Sequence, residues 1–94
     1  MAIDFEPMKS VADYWGTRMP IMACEECGEL IQAISKYERH KPDIGFEKFE
    51  DDYRNDIVKE MADVYIACAA LCNRYHITPD QIGEKVWAKM DKKY

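Results

Sequence analysis

The chain has 94 residues, of which 48% are hydrophobic and 33% are charged, and its formal net charge is -5. This length predicts a single domain, 1–94, and the hydrophobic fraction excludes a disordered chain. The acidic balance argues against a nucleic-acid-binding protein, because such proteins present a basic surface to phosphates. No apolar run reaches the ~20 residues of a membrane-spanning helix, so no membrane interaction is expected.

Four stretches have helical periodicity and are separated by glycine and proline. The first begins near Pro7 and ends at Gly16, with apolar positions at Met8, Val11, Ala12 and Trp15. The second begins at Pro20 and fades near Pro42. Its predicted apolar face consists of Ala23, Cys24, Cys27, Ile31 and Ile34.

The third and longest helix follows a turn at residues 42–45. Its predicted stripe is Phe49, Tyr53, Ile57, Met61, Val64, Cys68, Leu71 and Tyr75. A cap at Thr78, with Gln81 in the capping-box position, predicts a fourth helix whose inward face is Ile82, Val86 and Met90. No segment alternates with period two, so the predicted fold class is all-α, a small four-helix bundle.

Residues 61–72 are apolar almost all round the third helix, with Asp63 as the exception. A helix that is apolar on every side must be buried on every side, and three short neighbours can hardly surround it. The sequence therefore predicts a homodimer or a dimer of dimers (a homotetramer) assembled through this helix.

Four cysteines lie in helix-like sequence: Cys24, Cys27, Cys68 and Cys72. The N-terminal sequence lacks a basic start followed by an apolar stretch, which predicts a cytoplasmic protein with reduced, buried cysteines. A zinc site built from the two pairs is the alternative, although such sites usually occupy turns with nearby glycine or proline.

Acidic residues repeat one spacing on two helices. Glu26 and Glu29 are three residues apart on the second helix, and Glu60 and Asp63 repeat this on the third. Glu60 falls inside the apolar stripe, where desolvating a carboxylate costs several kcal/mol unless it is paired or bound to a cation. Four carboxylates from two adjacent helices form an all-oxygen shell that suits Mg²⁺ or Mn²⁺. The alternative is ordinary solvated acids paired with lysine and arginine.

The ordered motif Glu25-Glu26-x-x-Glu29 followed by Glu60-x-x-Asp63 resembles that of the MazG-like nucleoside triphosphate pyrophosphohydrolases. The likeness covers residues 15–93. It implies an all-α fold and hydrolysis of a nucleoside triphosphate to the monophosphate and pyrophosphate. It also implies that Mg²⁺, or Mn²⁺ in its place, is held by Glu26, Glu29, Glu60 and Asp63.

The resemblance implies further roles. Glu25 would orient or deprotonate the water that attacks the α-phosphorus, and cations would offset the developing negative charge. The candidate cations are Lys59, Lys85 and Lys89, and the two on the fourth helix could equally form a solvated face. Trp15 could stack on the base or belong to the core. A non-catalytic helical module that binds a metal or a basic protein remains the alternative function.

Overall fold

The computed structural model describes residue 8 and residues 10–93. Its α-helices are α1 (Ser10–Trp15), α2 (Met19–His40), α3 (Glu50–Tyr75) and α4 (Pro79–Lys93). Short 3-10 helices, Gly16–Arg18 and Phe46–Lys48, precede α2 and α3. No strand occurs within the described residues, and the all-α class predicted from the sequence is confirmed.

The centre of the fold is a helical hairpin in which α2 packs along α3. One series of buried and half-buried positions in α2 is Met19, Ala23, Glu26, Leu30, Ala33 and Tyr37. The matching series in α3 is Tyr53, Ile57, Glu60, Val64, Ala67 and Leu71. Both series alternate steps of four and three residues, the spacing typical of two helices packed along their length. Each series includes one glutamate, so carboxylates occupy positions that usually hold apolar side chains.

The face by which α2 packs differs from the predicted one. Ala23 is buried as predicted. The other four predicted positions are exposed: Cys24, Cys27, Ile31 and Ile34. The prediction was wrong because α2 has two apolar faces, and periodicity favours the one that no glutamate interrupts. The prediction of buried cysteines was accordingly wrong for Cys24 and Cys27, whereas Cys72 is buried.

Aromatic side chains join the two long helices where the hairpin turns. Phe46 is buried between Tyr37, with ring centroids 5.2 Å apart, and Tyr53, with centroids 5.7 Å apart. The ring of His40 also stacks on Tyr53, with ring centroids 5.3 Å apart. The hydroxyl of Tyr37 donates a 2.8 Å hydrogen bond to the Glu50 carboxylate at the start of α3. These contacts hold α2 and α3 in one register and thereby set which residues of the two helices face each other.

The flanking helices α1 and α4 bury fewer side chains than the α2–α3 hairpin does. α1 packs on α3, and Met8 and Ile82 contact a small buried cluster of Ala69 and Cys72. The predicted cap of α4 is confirmed. The backbone N–H of Thr78 donates to the Gln81 side chain at 2.8 Å, and the backbone N–H of Gln81 donates to the Thr78 hydroxyl at 3.2 Å.

The chain buries little of α4 beyond its first turn. Val86 and Met90 are exposed, so the prediction that they face inward was wrong for the single chain. The radius of gyration is 16.2 Å, whereas a compact chain of this length has about 12 Å. The count of four helices packed as one bundle therefore stays a prediction. No helix in the described part of the chain is long and apolar enough to cross a bilayer.

We expect Phe46→Ala to lower the free energy of unfolding by about 3 kcal/mol, because it removes a buried ring that contacts Tyr37 of α2 and Tyr53 of α3. Phe49→Ala is the matched control, since the same change three residues away affects a ring that is 56% exposed. Urea unfolding followed by circular dichroism measures both. Equal losses in the two variants would contradict the assigned role of Phe46.

Candidate metal centre

Four carboxylates converge at the middle of the α2–α3 hairpin. Glu26 and Glu29 come from α2, and Glu60 and Asp63 come from α3. One oxygen of each lies within 4.8 Å of the corresponding oxygens of the other three. The i, i+3 spacing places each pair on one side of its helix, and the helix packing brings the pairs together.

Two of these carboxylates are partly withdrawn from water. The Glu60 side chain retains 13% of its accessible surface. The Oε2 atoms of Glu26 and Glu60 are buried and accept no hydrogen bond. A buried carboxylate oxygen without a partner carries an uncompensated desolvation cost. Lys59 lies 3.7 Å from the Oε1 atom of Glu60, but its side chain is 74% exposed, so this ion pair compensates little.

The same crowding raises the pKa values of Glu26 and Glu60. Desolvation raises the pKa of Glu26 above its ordinary value of 4.5, and the charges of Glu29, Asp63 and Glu60 raise it further. Desolvation also raises the pKa of Glu60, and the Glu29 charge adds to this, while Lys59 acts in the opposite direction. Both shifts mean that the negative form of each carboxyl is disfavoured in the folded protein.

A divalent cation would supply the missing counter-charge. All four donors are carboxylate oxygens, which hard cations such as Mg²⁺ and Mn²⁺ prefer, and the set contains no thiolate or imidazole. The buried oxygens without partners fit this requirement, because they are the atoms that a bound ion would satisfy. Within the described residues, no cysteine belongs to a comparable group, so the structure does not support the alternative zinc site.

Two clefts adjoin the carboxylates, and two of the four carboxylates line each cleft. A cleft of about 560 Å³ includes Glu26 and Asp63 in its lining, together with Ser10, Val11, Tyr14, Trp15 and Ile66. We call it the aromatic cleft. A cleft of about 640 Å³ includes Glu29 and Glu60, together with Ile31, Gln32, Ala33, Ser35, Lys36, Arg39, Asp56 and Lys59. We call it the basic cleft.

The remaining predicted site residues differ in whether they line a cleft beside the carboxylates. Trp15 is half-buried in the aromatic cleft, and Lys59 lines the basic cleft. Glu25 is exposed and adjacent in sequence to Glu26, but it lies outside the group of four. Lys85 and Lys89 are exposed on α4 and line neither cleft, so their role stays a prediction.

Sequence analysis did not identify Lys36, Arg39 or Tyr14. The signal was present, since Lys36 and Arg39 follow Glu29 by seven and ten residues and so share its side of α2. This signal is ambiguous, because basic residues near the C-terminus of a helix also interact favourably with the helix dipole, which is the commoner reason for their presence. Tyr14 carries no such spacing signal, because α1 is too short to define a face.

A scan of the sequence against protein families matches residues 17–94 to the MazG nucleotide pyrophosphohydrolase domain. The chain belongs to the MazG family. The match covers most of the chain and confirms the resemblance seen in the acidic motif. Members of the MazG family are nucleotide pyrophosphohydrolases, which are hydrolases. A comparison with curated proteins and a comparison with solved structures gave no match.

The raised pKa values predict how stability depends on pH without metal. The folded protein binds the protons of Glu26 and Glu60 more tightly than the unfolded chain does. The free energy of unfolding should therefore fall as the pH rises above 4.5 and through the raised pKa values. Glu60→Gln stays neutral at every pH, so we expect a shallower decline in this variant when thermal unfolding is measured in a chelating buffer.

Glu84→Gln removes the same charge from an exposed position on α4 that lines neither cleft. Its pH dependence should match that of the unmodified protein. If the free energy of unfolding falls as steeply with pH in Glu60→Gln as in the unmodified protein, Glu60 is not desolvated in the folded state.

Proposed function

We propose that the protein hydrolyses a nucleoside triphosphate to the monophosphate and pyrophosphate in a reaction that depends on Mg²⁺. The observation that carries this proposal is the convergence of four carboxylates, two of which have buried oxygens without partners. The MazG match supports the same reaction class. A solvated acidic face would leave its oxygens in water, so ordinary surface acids do not account for this arrangement.

In this proposal Glu26, Glu29, Glu60 and Asp63 hold the ion, and Mn²⁺ is a possible substitute for Mg²⁺. Bound there, the cation supplies Lewis-acid polarisation and lowers the pKa of a water molecule. The protein contributes the rigidity of its helices, since the ligands come from helical positions and not from loops. It also contributes a partly dry environment, in which electrostatic interactions with phosphate are stronger than in water.

Glu25 is the proposed general base, which accepts a proton from the attacking water. It adjoins Glu26 in sequence and is exposed, so it can accept a proton and pass it to solvent. The oxygen of the attacking water forms a bond to the α-phosphorus, and the bond from that phosphorus to the bridging oxygen breaks. Pyrophosphate leaves with the bridging oxygen, and the second proton of the water is lost to solvent from the monophosphate.

The aromatic cleft is the proposed site for the base of the nucleotide. Trp15 is half-buried there and Tyr14 is exposed, so ring surface is available for stacking. Lys59 is the predicted phosphate contact that adjoins the carboxylates. The four free thiols are compatible with the predicted cytoplasmic location, which remains part of the proposal.

The proposal is tested by the products and by the position of isotope label. We expect pyrophosphate from at least one common ribo- or deoxyribonucleoside triphosphate, and in ¹⁸O-labelled water the label should enter the monophosphate. Glu26→Gln, Glu29→Gln, Glu60→Gln and Asp63→Asn should each reduce kcat by orders of magnitude. Double variants should lose little more, because the four ligands act as a unit.

The Glu25→Gln variant distinguishes the proposed general base from the four metal ligands. It should lower kcat while the protein still gains about 2.7 kcal/mol of stability from metal at a hundredfold excess over Kd. The Glu60→Gln variant should lose most of this gain. Label in pyrophosphate would indicate attack at another phosphorus, and full metal binding without turnover of any nucleotide would indicate the non-catalytic alternative.

A second copy of the chain is the proposed partner on the outer side of the hairpin. The exposed series on α2 is Cys24, Cys27, Ile31 and Ile34, and a series with the same spacing on α3 is Val58, Met61, Tyr65 and Cys68. Burial raises the pKa of Cys68, and the nearby Cys27 thiol raises it further, so one member of each series lies close to the other. Ile31 is 67% exposed and Met61 is 57% exposed. Two such hairpins would bury these faces against each other as a four-helix arrangement.

Light scattering at micromolar concentration should therefore give at least twice the chain mass of 11.0 kDa. Replacing Ile34 and Met61 together by glutamate should dissociate the assembly, because it places charges in the apolar interface and leaves both clefts unchanged. Ile44→Glu is the control, since Ile44 is fully exposed at the turn and lies outside both series. A mass of 11.0 kDa for the unmodified protein would contradict the proposed assembly.

A further inference from the structure

The two clefts beside the carboxylates differ in chemistry. The aromatic cleft combines two aromatic rings with Val11 and Ile66 and has no basic side chain in its lining. The basic cleft holds three cations, Lys36, Arg39 and Lys59, with polar groups from Gln32 and Ser35. A nucleotide has the same asymmetry, because its base is flat and largely apolar while its phosphates are anionic.

We infer that the basic cleft binds the β- and γ-phosphates of the substrate, and that Lys36 and Arg39 select a triphosphate over shorter nucleotides. This inference rests on the proposed function, because it assigns an orientation to the substrate of that reaction. The base then lies in the aromatic cleft, the α-phosphorus lies over the four carboxylates, and pyrophosphate departs through the basic cleft.

Lys36 and Arg39 are free to bind an external anion. Three acidic side chains line the same cleft, but neither cation forms an ion pair within the described part of the chain. Both cations are exposed, so binding phosphate would not first require a buried ion pair to break. Lys59 is also mostly exposed, and its 3.7 Å contact with Glu60 is long enough to be exchanged for a phosphate oxygen.

The helix geometry suits a ligand that extends away from the carboxylates. Lys36 and Arg39 follow Glu29 by about 10 and 15 Å along the axis of α2. Side chains of an α-helix lean towards its N-terminus, which directs both cations back towards Glu29. A cleft of about 640 Å³ lies within the usual range for small-molecule sites. Arginine and lysine at such positions can bind phosphate oxygens by charge-assisted hydrogen bonds.

Inorganic pyrophosphate and tripolyphosphate are suitable probes, since they contain the proposed phosphate groups without a base. In the presence of Mn²⁺, calorimetry should show that the Lys36→Gln, Arg39→Gln double variant binds pyrophosphate at least tenfold more weakly than the unmodified protein. Its affinity for Mn²⁺ alone should change less than twofold. Its KM for the nucleoside triphosphate should rise at least tenfold, with a much smaller change in kcat.

Three further variants sharpen the test. Lys41→Gln with Lys48→Gln removes the same total charge from exposed positions outside both clefts, and should change pyrophosphate affinity less than twofold. Lys36→Arg with Arg39→Lys keeps the charges and should retain most of the binding. Asp56→Asn removes a negative charge from the lining of the basic cleft and should strengthen pyrophosphate binding.

The outcomes distinguish this inference from the proposed function. Pyrophosphate affinity that is equal in the double variant and the unmodified protein would overturn the inference, even if nucleotide hydrolysis is observed. Absence of pyrophosphate binding to the unmodified protein would overturn it as well. Absence of turnover with every nucleotide would overturn the proposed function, whereas pyrophosphate binding that depends on Lys36 and Arg39 would still support the basic cleft as a phosphate site.

Discussion

The repulsion among four carboxylates in a partly dry helix interface is the constraint on which the rest of the structure depends. Glu26 and Glu60 occupy positions in the α2–α3 interface that would otherwise hold apolar side chains. The hairpin therefore gives up part of its hydrophobic stabilisation at its centre and must be held together elsewhere. The aromatic contacts at the turn and the small residues of α3, such as Ala67 and Ala70, provide the remaining close packing.

Much of this arrangement could be predicted from the sequence, because the helical spacing and the acidic motif are local patterns. The position of Glu60 inside an apolar stripe indicated a buried carboxylate, and the structure places its Oε2 atom out of contact with water. The cap at Thr78 and Gln81 was predicted for the same reason, since a capping box involves residues close in sequence. Each of these features is decided by a single helix or its end.

Features that depend on how helices meet could not be predicted equally well. The face of α2 that contacts α3 includes a glutamate, so a search for apolar periodicity selects the opposite face, which carries Ile31. The basic cleft combines Lys36 and Arg39 of α2 with Lys59 of α3, and neither helix alone indicates that they line one space. Val86 and Met90 were predicted to face inward on α4, but a single chain leaves them exposed. Tertiary packing, not local propensity, decides all three.

Because the packing positions of α2 and α3 repeat every seven residues, both helices could be lengthened by whole heptads. Tyr37 and Glu26 lie on one heptad-spaced series of α2, and Tyr53 and Glu60 lie on the matching series of α3. Seven residues turn an α-helix by about two turns and leave a residual rotation of only ~20°. Inserting one heptad into both helices between turn and carboxylates would move the turn outward by about 10 Å. The carboxylates would keep facing each other, and metal titration of such a lengthened chain would measure whether their affinity persists. Insertions of five residues would instead rotate the turn by about 140° relative to the carboxylates and separate the two halves of the site.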